Sequence, residues 1–363
     1  MKSLRWALAI LLVTGAVGLV VIATIPEEPA PPVHTEGGST LDFSNSETCR
    51  ECHPEVFEEW ESSYHAMAFL DPLVRAKEQS NNFREVGCIP CHAPAPILES
   101  AIGKGARVYE RFSFREDGID CLSCHKIGDH VAGTRTIAVA QAACAPILHE
   151  QLGKPALCAP CHNQHETVDE WEATEYARQG TDCNDCHMPA VERNLADGST
   201  RPGRSHRFLG AHDRGMLQRG IEMSHTIERA PDGTATLAVS LTNEGTGHNY
   251  PSDARHRALD LVVTLIQEDD VELPPRDSRT AGRERGTERR RFRNPYRQEP
   301  ERLTNTELFG RPNTQIRAGE TQTMRVPFAS DRVTRAHIEL IFKLTPLQSD
   351  SEGILVHESW VEL

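Results

Sequence analysis

Five copies of one short pattern of cysteine and histidine are the residues of this 363-residue chain best suited to chemistry. Each copy has cysteines at positions i and i+3 and a histidine directly after the second cysteine; the copies begin at Cys49, Cys88, Cys121, Cys158 and Cys183. Thiols at this spacing lie on one face of a helical turn, so they can form thioethers to the two vinyl groups of a haem. The histidine can then ligate the iron from below the ring. The pattern therefore predicts attachment of c-type haem.

This interpretation gives every motif residue a role, and it predicts five covalently bound haem c groups. The thioether cysteines are expected to be Cys49, Cys52, Cys88, Cys91, Cys121, Cys124, Cys158, Cys161, Cys183 and Cys186, and the proximal iron ligands His53, His92, His125, His162 and His187. A single C-x-x-C is also typical of a zinc half-site or a redox disulfide. Neither needs a histidine directly after every second cysteine, so five such histidines favour haem.

Haem groups that carry electrons usually need a second strong axial ligand, and histidine is the natural supply. The chain has 17 histidines, of which five lie in the motifs. The distal candidates among the others are His65, His149, His206, His212 and His248. Apolar residues at helical spacing predict a helix that runs on to His65. Such a helix places His65 about 18 Å from His53, so we expect it to serve a neighbouring haem.

Composition limits the possible function classes. The net charge is −14, which disfavours a main function in nucleic-acid binding. The 11 cysteines are an odd number, so they cannot all pair as disulfides. Cys144 is the cysteine outside the motifs, and we interpret it as a small buried side chain; a redox or cross-linking thiol is the alternative.

The N-terminal residues predict export. Trp6–Ile25 contains no charge and follows the basic residues Lys2 and Arg5. Twenty apolar residues can span a bilayer as a helix, which favours an uncleaved anchor with the rest of the chain exported. A cleaved export signal is the alternative. We expect the protein on the periplasmic or extracytoplasmic face of the cytoplasmic membrane, or secreted if the signal is cleaved.

The C-terminal part has a different pattern. Apolar residues alternate with polar ones in five segments, which predict strands at 234–244, 257–267, 321–329, 335–344 and 354–363. Such strands favour an immunoglobulin-like β-sandwich. Between them, Arg276–Arg302 contains ten arginines. We interpret this segment as a solvated loop, with a docking patch for an acidic partner or haem propionates as the alternative.

The predicted fold is therefore multidomain. Residues 1–25 form a membrane helix or signal sequence, and 26–42 form a tether rich in proline and glycine. Residues 43–215 form a haem-packed, mainly α-helical or irregular domain, and 216–363 form an all-β sandwich.

Four segments carry a resemblance to a known family. They are TCRECHPEVFEEWESSYHA (Thr48–Ala66), EDGIDCLSCHKI (Glu116–Ile127), CAPCHN…EW…YARQGTDCNDCHMP (Cys158–Pro189) and SHRFLGAH (Ser205–His212). From Phe43 to Gly215 the chain resembles multihaem c-type cytochromes of the c-552/c-554 type. The resemblance implies closely stacked, mostly bis-histidine haems, a role in electron transfer and a distal ligand at His65. Some relatives act on nitrite or hydroxylamine through a proximal lysine, which is absent here.

The sequence thus predicts an exported, membrane-tethered pentahaem cytochrome that transfers electrons, with redox protein partners or a quinol-linked donor and no nucleic acid. An oxidoreductase with one open haem, acting on a small nitrogen or oxygen compound, is the alternative. Visible and electron paramagnetic resonance spectra separate the two.

Two segments with a similar sequence bear on the open-haem alternative. The segment from Trp60 to Ala66 and the segment from Trp171 to Ala177 share the pattern W-E-x-[ST]-x-[HY]-A. Each is followed by a glycine before the next motif, Gly87 or Gly180. We interpret the two segments as one helix–haem unit used twice, with Tyr176 at the place of His65. The equivalent iron is expected to recruit His206 or His212, or else to stay open.

Overall fold

The structure, a computed structural model, describes residues 42–79, 87–134, 143–195, 198–267, 287–295, 313–329 and 332–363. They belong to one unit, Ser39–Leu363. The predicted membrane segment Trp6–Ile25 lies outside the described residues, as does nearly all of the tether. Within the described ranges, no helix is both long and apolar enough to cross a bilayer.

Short helices and turns make up the part of the chain that contains the motifs. The helices are α1 Glu47–Arg50, α2 Pro54–Glu61, α3 Pro72–Gln79, α4 Ile89–His92, α5 Ile97–Ser100, α6 Cys121–His125, α7 Pro155–His162, α8 Thr167–Glu172, α9 Glu175–Arg178 and α10 Cys183–His187. Four of them end on a motif histidine. Asp120 and Asp182 cap the third and fifth motif helices, each in a capping box that satisfies the first backbone N–H groups.

Helix α2 begins directly after His53, with Pro54 at its first position, where proline is favoured. Phe57 and Trp60 are buried on its apolar face. The helix ends at Glu61, so the prediction that it continues to His65 was wrong. His65 follows in a run of turns, because backbone bonds of the i→i−3 type, such as Ser63 to Trp60, replace the helical ladder.

Little apolar packing supports this region. Its buried clusters among the described residues are Phe69, Ile89 and Ala93, and Ile97, Ala101 and Val108. Strands here are short: β1 Lys126–Ile127, β2 His130–Gly133 and β3 Ile147–Leu148 form one sheet, and β4 Ala190–Asn194 pairs with β5 Thr200–Arg204. The chain therefore encloses space rather than a continuous apolar core.

A β-sandwich follows helix α11 (Arg214–Gly220), whose N-terminus is capped by the side chain of Asp213. Its strands are β6 Glu222–Arg229, β7 Thr234–Thr242, β8 Ala258–Gln267, β9 Thr287–Phe292, β10 Thr321–Ala329, β11 Val333–Lys343 and β12 Ile354–Glu362. They form antiparallel sheets in the orders β10-β7-β6 and β12-β11-β8-β9. The five predicted strands are confirmed, whereas β6 and β9 were not predicted.

One apolar core joins the two sheets of the sandwich. Leu237, Val239 and Val326 of the smaller sheet pack in the same cluster as Leu261 and Ile338 of the larger one. The alternation that predicted strands also places these side chains inward. The sandwich thus has an apolar core of its own.

Strand β9 corrects the interpretation of the arginine-rich segment. Residues 276–286 and 296–302 lie outside the described residues, but Arg289 and Arg291 lie in a strand and their side chains are only 9% exposed. Both donate to the buried carboxylate of Asp260, which Lys343 also approaches at 3.3 Å. For these arginines the solvated loop was wrong, because both form buried ion pairs with Asp260 of β8, and Arg289 also pairs with Asp350.

Candidate haem-binding site

One cavity of 3330 Å³ is lined by all ten motif cysteines and all five motif histidines. A site for one small ligand occupies about 300–1,000 Å³, so this space is several times larger. Cys144 also lines it. The structure therefore brings together five motifs that are spread over 139 positions of the chain, from Cys49 to His187.

Contacts between thiols show which motifs are neighbours. Cys49 lies within hydrogen-bonding reach of Cys121, so the first motif adjoins the third. Equivalent contacts join Cys91 to Cys161 and Cys158 to Cys183. They place the second and fifth motifs beside the fourth.

The third and fourth motifs also interact. Cys124 is close enough to Cys158 and Cys161 to affect them electrostatically. The fourth motif thus has the second, third and fifth as neighbours, and it forms the junction of the array.

Three motif histidines face a second histidine at a nearly constant distance. The ring centres are 6.4 Å apart for His125 and His206, 6.3 Å for His187 and His248, and 6.2 Å for His162 and His65. A metal–imidazole bond of about 2.0–2.1 Å, as for zinc, and about 1.1 Å from nitrogen to ring centre place two rings on one metal about 6.2–6.4 Å apart. Each pair therefore has the spacing needed to share one iron.

Backbone carbonyls orient two of these pairs. The Nδ1 atoms of His125 and His206 lie 2.9 Å from the carbonyl oxygens of Ala132 and Arg204. Those of His187 and His248 lie 2.6 and 2.9 Å from the carbonyls of Leu209 and Asn249. An Nδ1–H donated to a carbonyl leaves Nε2 unprotonated and free to bind a metal.

Burial keeps four of the five distal candidates neutral. It lowers the pKa of His65 to about 3, and those of His206, His212 and His248 to about 4. Neutral imidazole is the form that binds a metal, so these side chains are prepared for iron across the physiological pH range.

The other sequence candidates have different surroundings. His212 lines the cavity and stacks on Tyr64 with ring centres 3.4 Å apart. His149 is not among the residues that line the cavity, and its Nδ1 accepts from the N–H of Gln151 at 3.3 Å. Among the described residues, no histidine ring is paired at the 6.2–6.4 Å spacing with His53 or His92.

The helices that follow the first and fourth motifs each carry a tryptophan that hydrogen-bonds to the segment leading into another motif. The indole of Trp60 donates to the carbonyl of Ile119 at 2.8 Å, and that of Trp171 donates to Thr181 at 3.0 Å. Each acceptor lies two residues before the first cysteine of a motif, the third and the fifth respectively. The two similar segments thus belong to a structural repeat. In it the first motif corresponds to the fourth, and the third motif to the fifth.

His65 and Tyr176 occupy matching places in this repeat. The carbonyl of His65 accepts from the N–H of Ile119 and the carbonyl of Tyr176 from that of Thr181, both at 2.9 Å. The Tyr176 hydroxyl donates to the backbone carbonyl of Glu244. Tyr176 therefore fastens the β-sandwich to the repeat, whereas His65 turns its ring towards the fourth motif.

The repeat corrects two details of the sequence interpretation. The glycine that corresponds to Gly180 is Gly118, not Gly87, and both have φ in the left-handed region. A Cβ at Gly118 would lie 2.3 Å from the carbonyl oxygen of His65, so only glycine fits. The fifth motif faces His248 rather than His206 or His212.

Glutamates next to the two tryptophans fix the segments that carry His206 and His248. Glu59 accepts from the backbone N–H of His206 at 2.8 Å. Glu170 accepts from the backbone N–H of Asn249 at 3.1 Å and from its side chain at 2.8 Å, directly after His248. Sequence reasoning missed both glutamates, although the repeated Glu–Trp pair was a signal that could have found them.

The fit to haem c rests on these observations: thiol pairs with adjacent histidines around one large space, and opposed neutral imidazoles at the spacing of two axial ligands. These are the features expected of a site that holds several c-type haems. Residues 48–126, which span the first three motifs, match the family described as cytochrome c554 and c-prime. No curated protein matches the chain.

A solved structure extends the likeness to most of the chain. The penta-haem cytochrome c552 from Thermochromatium tepidum is 16% identical, with a TM-score of 0.57 over 88% of this chain and 98% of its own. The two proteins therefore share a fold. A β-glucosidase from Streptomyces venezuelae, 12% identical over 39% of this chain and 15% of its own, has a TM-score of 0.16, too low to bear on the fold.

Proposed function

We propose that this protein is an exported pentahaem cytochrome c that passes electrons through an array of adjacent, mostly bis-histidine haems. The observation that carries the proposal is the opposition of three motif histidines to neutral partner histidines at 6.2–6.4 Å within one cavity. Two strong axial ligands close an iron to substrates and favour electron transfer. Haem c supplies a one-electron ferric–ferrous couple at each motif.

In this proposal His206 would hold the haem iron opposite the third motif histidine, His65 the iron at the fourth motif and His248 the iron at the fifth. The contacts between thiols set the order of the sites. The haem of the fourth motif would lie next to those of the second, third and fifth, and the haem of the first motif next to that of the third. Such an order would supply a continuous series of one-electron sites between a donor and an acceptor.

The membrane and partner assignments rest on the sequence. Trp6–Ile25 supports a tether to the cytoplasmic membrane with the haem region (residues 43–215) on the outer face of that membrane. Redox proteins or a quinol-linked donor are the proposed partners.

Mass and spin state test the proposal. The intact mass of the fully matured protein should contain five haems. Electron paramagnetic resonance of the oxidised protein should show low-spin iron at the third, fourth and fifth motifs. Fewer than five haems in a matured sample would contradict the proposed count.

A second candidate function rests on His53 and His92, for which the described residues show no paired histidine ring. One of these motifs with an open iron would bind a small nitrogen or oxygen compound. A high-spin signal that disappears when nitrite or cyanide is added would favour this enzyme, and spectra that are low-spin throughout would exclude it.

A further inference from the structure

We propose that Asp253 acts through His162 to lower the reduction potential of the haem held by the fourth motif. This inference deepens the proposed function and depends on it. The fourth motif adjoins the second, third and fifth, so a change of potential there affects every route through the array.

The imidazole of His162 faces the carboxylate of Asp253, whereas the imidazoles of three other motif histidines face backbone carbonyls. The Nδ1 atom of His162 lies 3.6 Å from the carboxylate Oδ2 of Asp253. In the second, third and fifth motifs, Nδ1 of the motif histidine instead lies 3.0, 2.9 and 2.6 Å from a neutral backbone carbonyl. A negatively charged group therefore faces His162, whereas a neutral carbonyl dipole faces the histidines of the second, third and fifth motifs.

The loop that carries Asp253 is fixed against the fourth motif. The Ser252 hydroxyl donates to Glu170 at 2.7 Å and contacts the Thr167 hydroxyl at 3.0 Å, and both partners lie on α8, the helix that follows the motif. Asp253 itself has a φ of 64°, a left-handed conformation that costs energy in any residue but glycine. The fold holds this conformation because its neighbours fix it, which is typical of functional positions.

Asp253 faces positive and imidazole side chains. Besides His162 these are Arg257 and His165, and a neighbouring positive charge favours the ionised carboxylate.

A carboxylate next to a ligating imidazole raises the basicity of that ligand. A more basic ligand, and the negative charge itself, stabilise ferric over ferrous iron and so lower the reduction potential. Asp253 is thus a positioning residue, supplied by the β-sandwich, that sets the potential at the junction of the array. Together with His248 it makes the sandwich loop between β7 and β8 part of the haem site.

The test compares reduction potentials of variants in the full-length holoprotein by spectroelectrochemical titration. Asp253→Asn keeps the size and tolerates the left-handed backbone. One haem should titrate at a more positive potential, and the others should change less. Asp253→Glu keeps the charge, and it should restore a potential closer to that of the wild type than Asp253→Asn does.

Glu166→Gln is the matched control, since Glu166 pairs with Arg255 on the same surface at 3.9 Å and is not a contact of His162. It should leave all potentials unchanged. If Asp253→Asn does not mature, Asp253→Gly replaces it, because glycine suits the backbone at φ 64°. Five haems with potentials unaltered by the loss of this carboxylate would overturn the inference and leave the proposed function standing. A wrong haem count in the wild type would instead contradict the proposed function.

Discussion

Imidazole is the side chain on which this site depends, and its second nitrogen decides whether it can bind iron. A buried histidine whose Nδ1–H is donated to a carbonyl presents a bare Nε2. His248 illustrates the principle: its pKa is lowered to about 4 by burial, and its Nδ1 lies 2.9 Å from the carbonyl of Asn249. The same arrangement at His206 makes both residues suited to ligate without a competing proton.

Replacing His248 tests this at the residue scale. In His248→Ala we expect one haem to become high-spin and to bind carbon monoxide when reduced, because the ring opposite His187 is gone. Visible and electron paramagnetic resonance spectra measure the change. His225→Ala, on the exposed side of β6, is the control and should leave the spectra unaltered. An unaltered spectrum in His248→Ala as well would return His248 to the role of a turn residue.

Short helices are the elements that connect one haem site with the next. Each Glu–Trp pair fixes two segments of the chain. The indole hydrogen-bonds to the segment that leads into a motif, and the carboxylate hydrogen-bonds to the segment that carries His206 or His248. The pairs at Glu59 and Glu170 make these contacts in corresponding places. A helix that follows one motif therefore positions a histidine that faces the histidine of another motif.

Glu170→Gln should loosen the segment of His248. The amide replaces an acceptor with a donor next to the N–H groups of Asn249, and hydrogen bonds to a charged group are worth about 1.5–3 kcal/mol. We expect a fraction of one haem to become accessible to carbon monoxide in the reduced protein. Glu172→Gln on the same helix, where Glu172 pairs only with Lys104 among the ion pairs of the described residues, is the control. Equal carbon monoxide binding in the two variants would contradict this role.

The buried ion-pair network of the larger sheet contributes to the free energy of unfolding of the sandwich, and this contribution can be measured. Asp260 is fully buried, and Arg289, Arg291 and Lys343 surround it. Removing its charge leaves Asp350 as the carboxylate that faces Arg289 and Lys343, and it takes away the charge to which Arg291 donates. Asp260→Asn should therefore destabilise the sandwich by about 3–5 kcal/mol. Urea unfolding followed by far-ultraviolet circular dichroism measures this. Asp232→Asn in the exposed turn before β7 should leave the midpoint unchanged.

The same network predicts acid sensitivity. Burial opposes its charge, but Arg289 and Lys343 lower the pKa of Asp350 to about 2 in the folded chain, against an ordinary value of about 3.9. A lowered pKa contributes stability that is complete above about pH 4 and is lost as the pH falls through about 2. Stability of the sandwich should decline across that window, and a flat profile would show that the network contributes little.

At the scale of the whole molecule, the two parts depend on haem to different degrees. The buried core cluster of the sandwich consists of residues from Leu217 onward, whereas the haem region has only small apolar clusters around its large cavity. Binding energy from haem must therefore supply much of the folding free energy of the haem region.

Fragments test this division. Met216–Leu363 expressed alone should be soluble and rich in strands without haem. The region from Phe43 to Gly215 without haem should be digested rapidly by protease. Aggregation of the first fragment, or a protease-resistant second one, would contradict the division of the chain at about residue 216.

The sequence by itself determined the local chemistry. Covalent haem attachment needs only the spacing of two cysteines and one histidine, and the strands of the sandwich need only alternation, so both were readable from neighbouring residues. The tertiary structure decided which histidine faces which motif histidine, because His65, His206 and His248 are separated from their partners by 61 to 97 positions in the chain. It also placed Arg289 and Arg291 of the predicted arginine loop in a strand next to Asp260, since Asp260 lies on another strand and no local pattern records that pairing. Asp253 stayed hidden for the same reason: a carboxylate acquires its role only when folding places it beside His162.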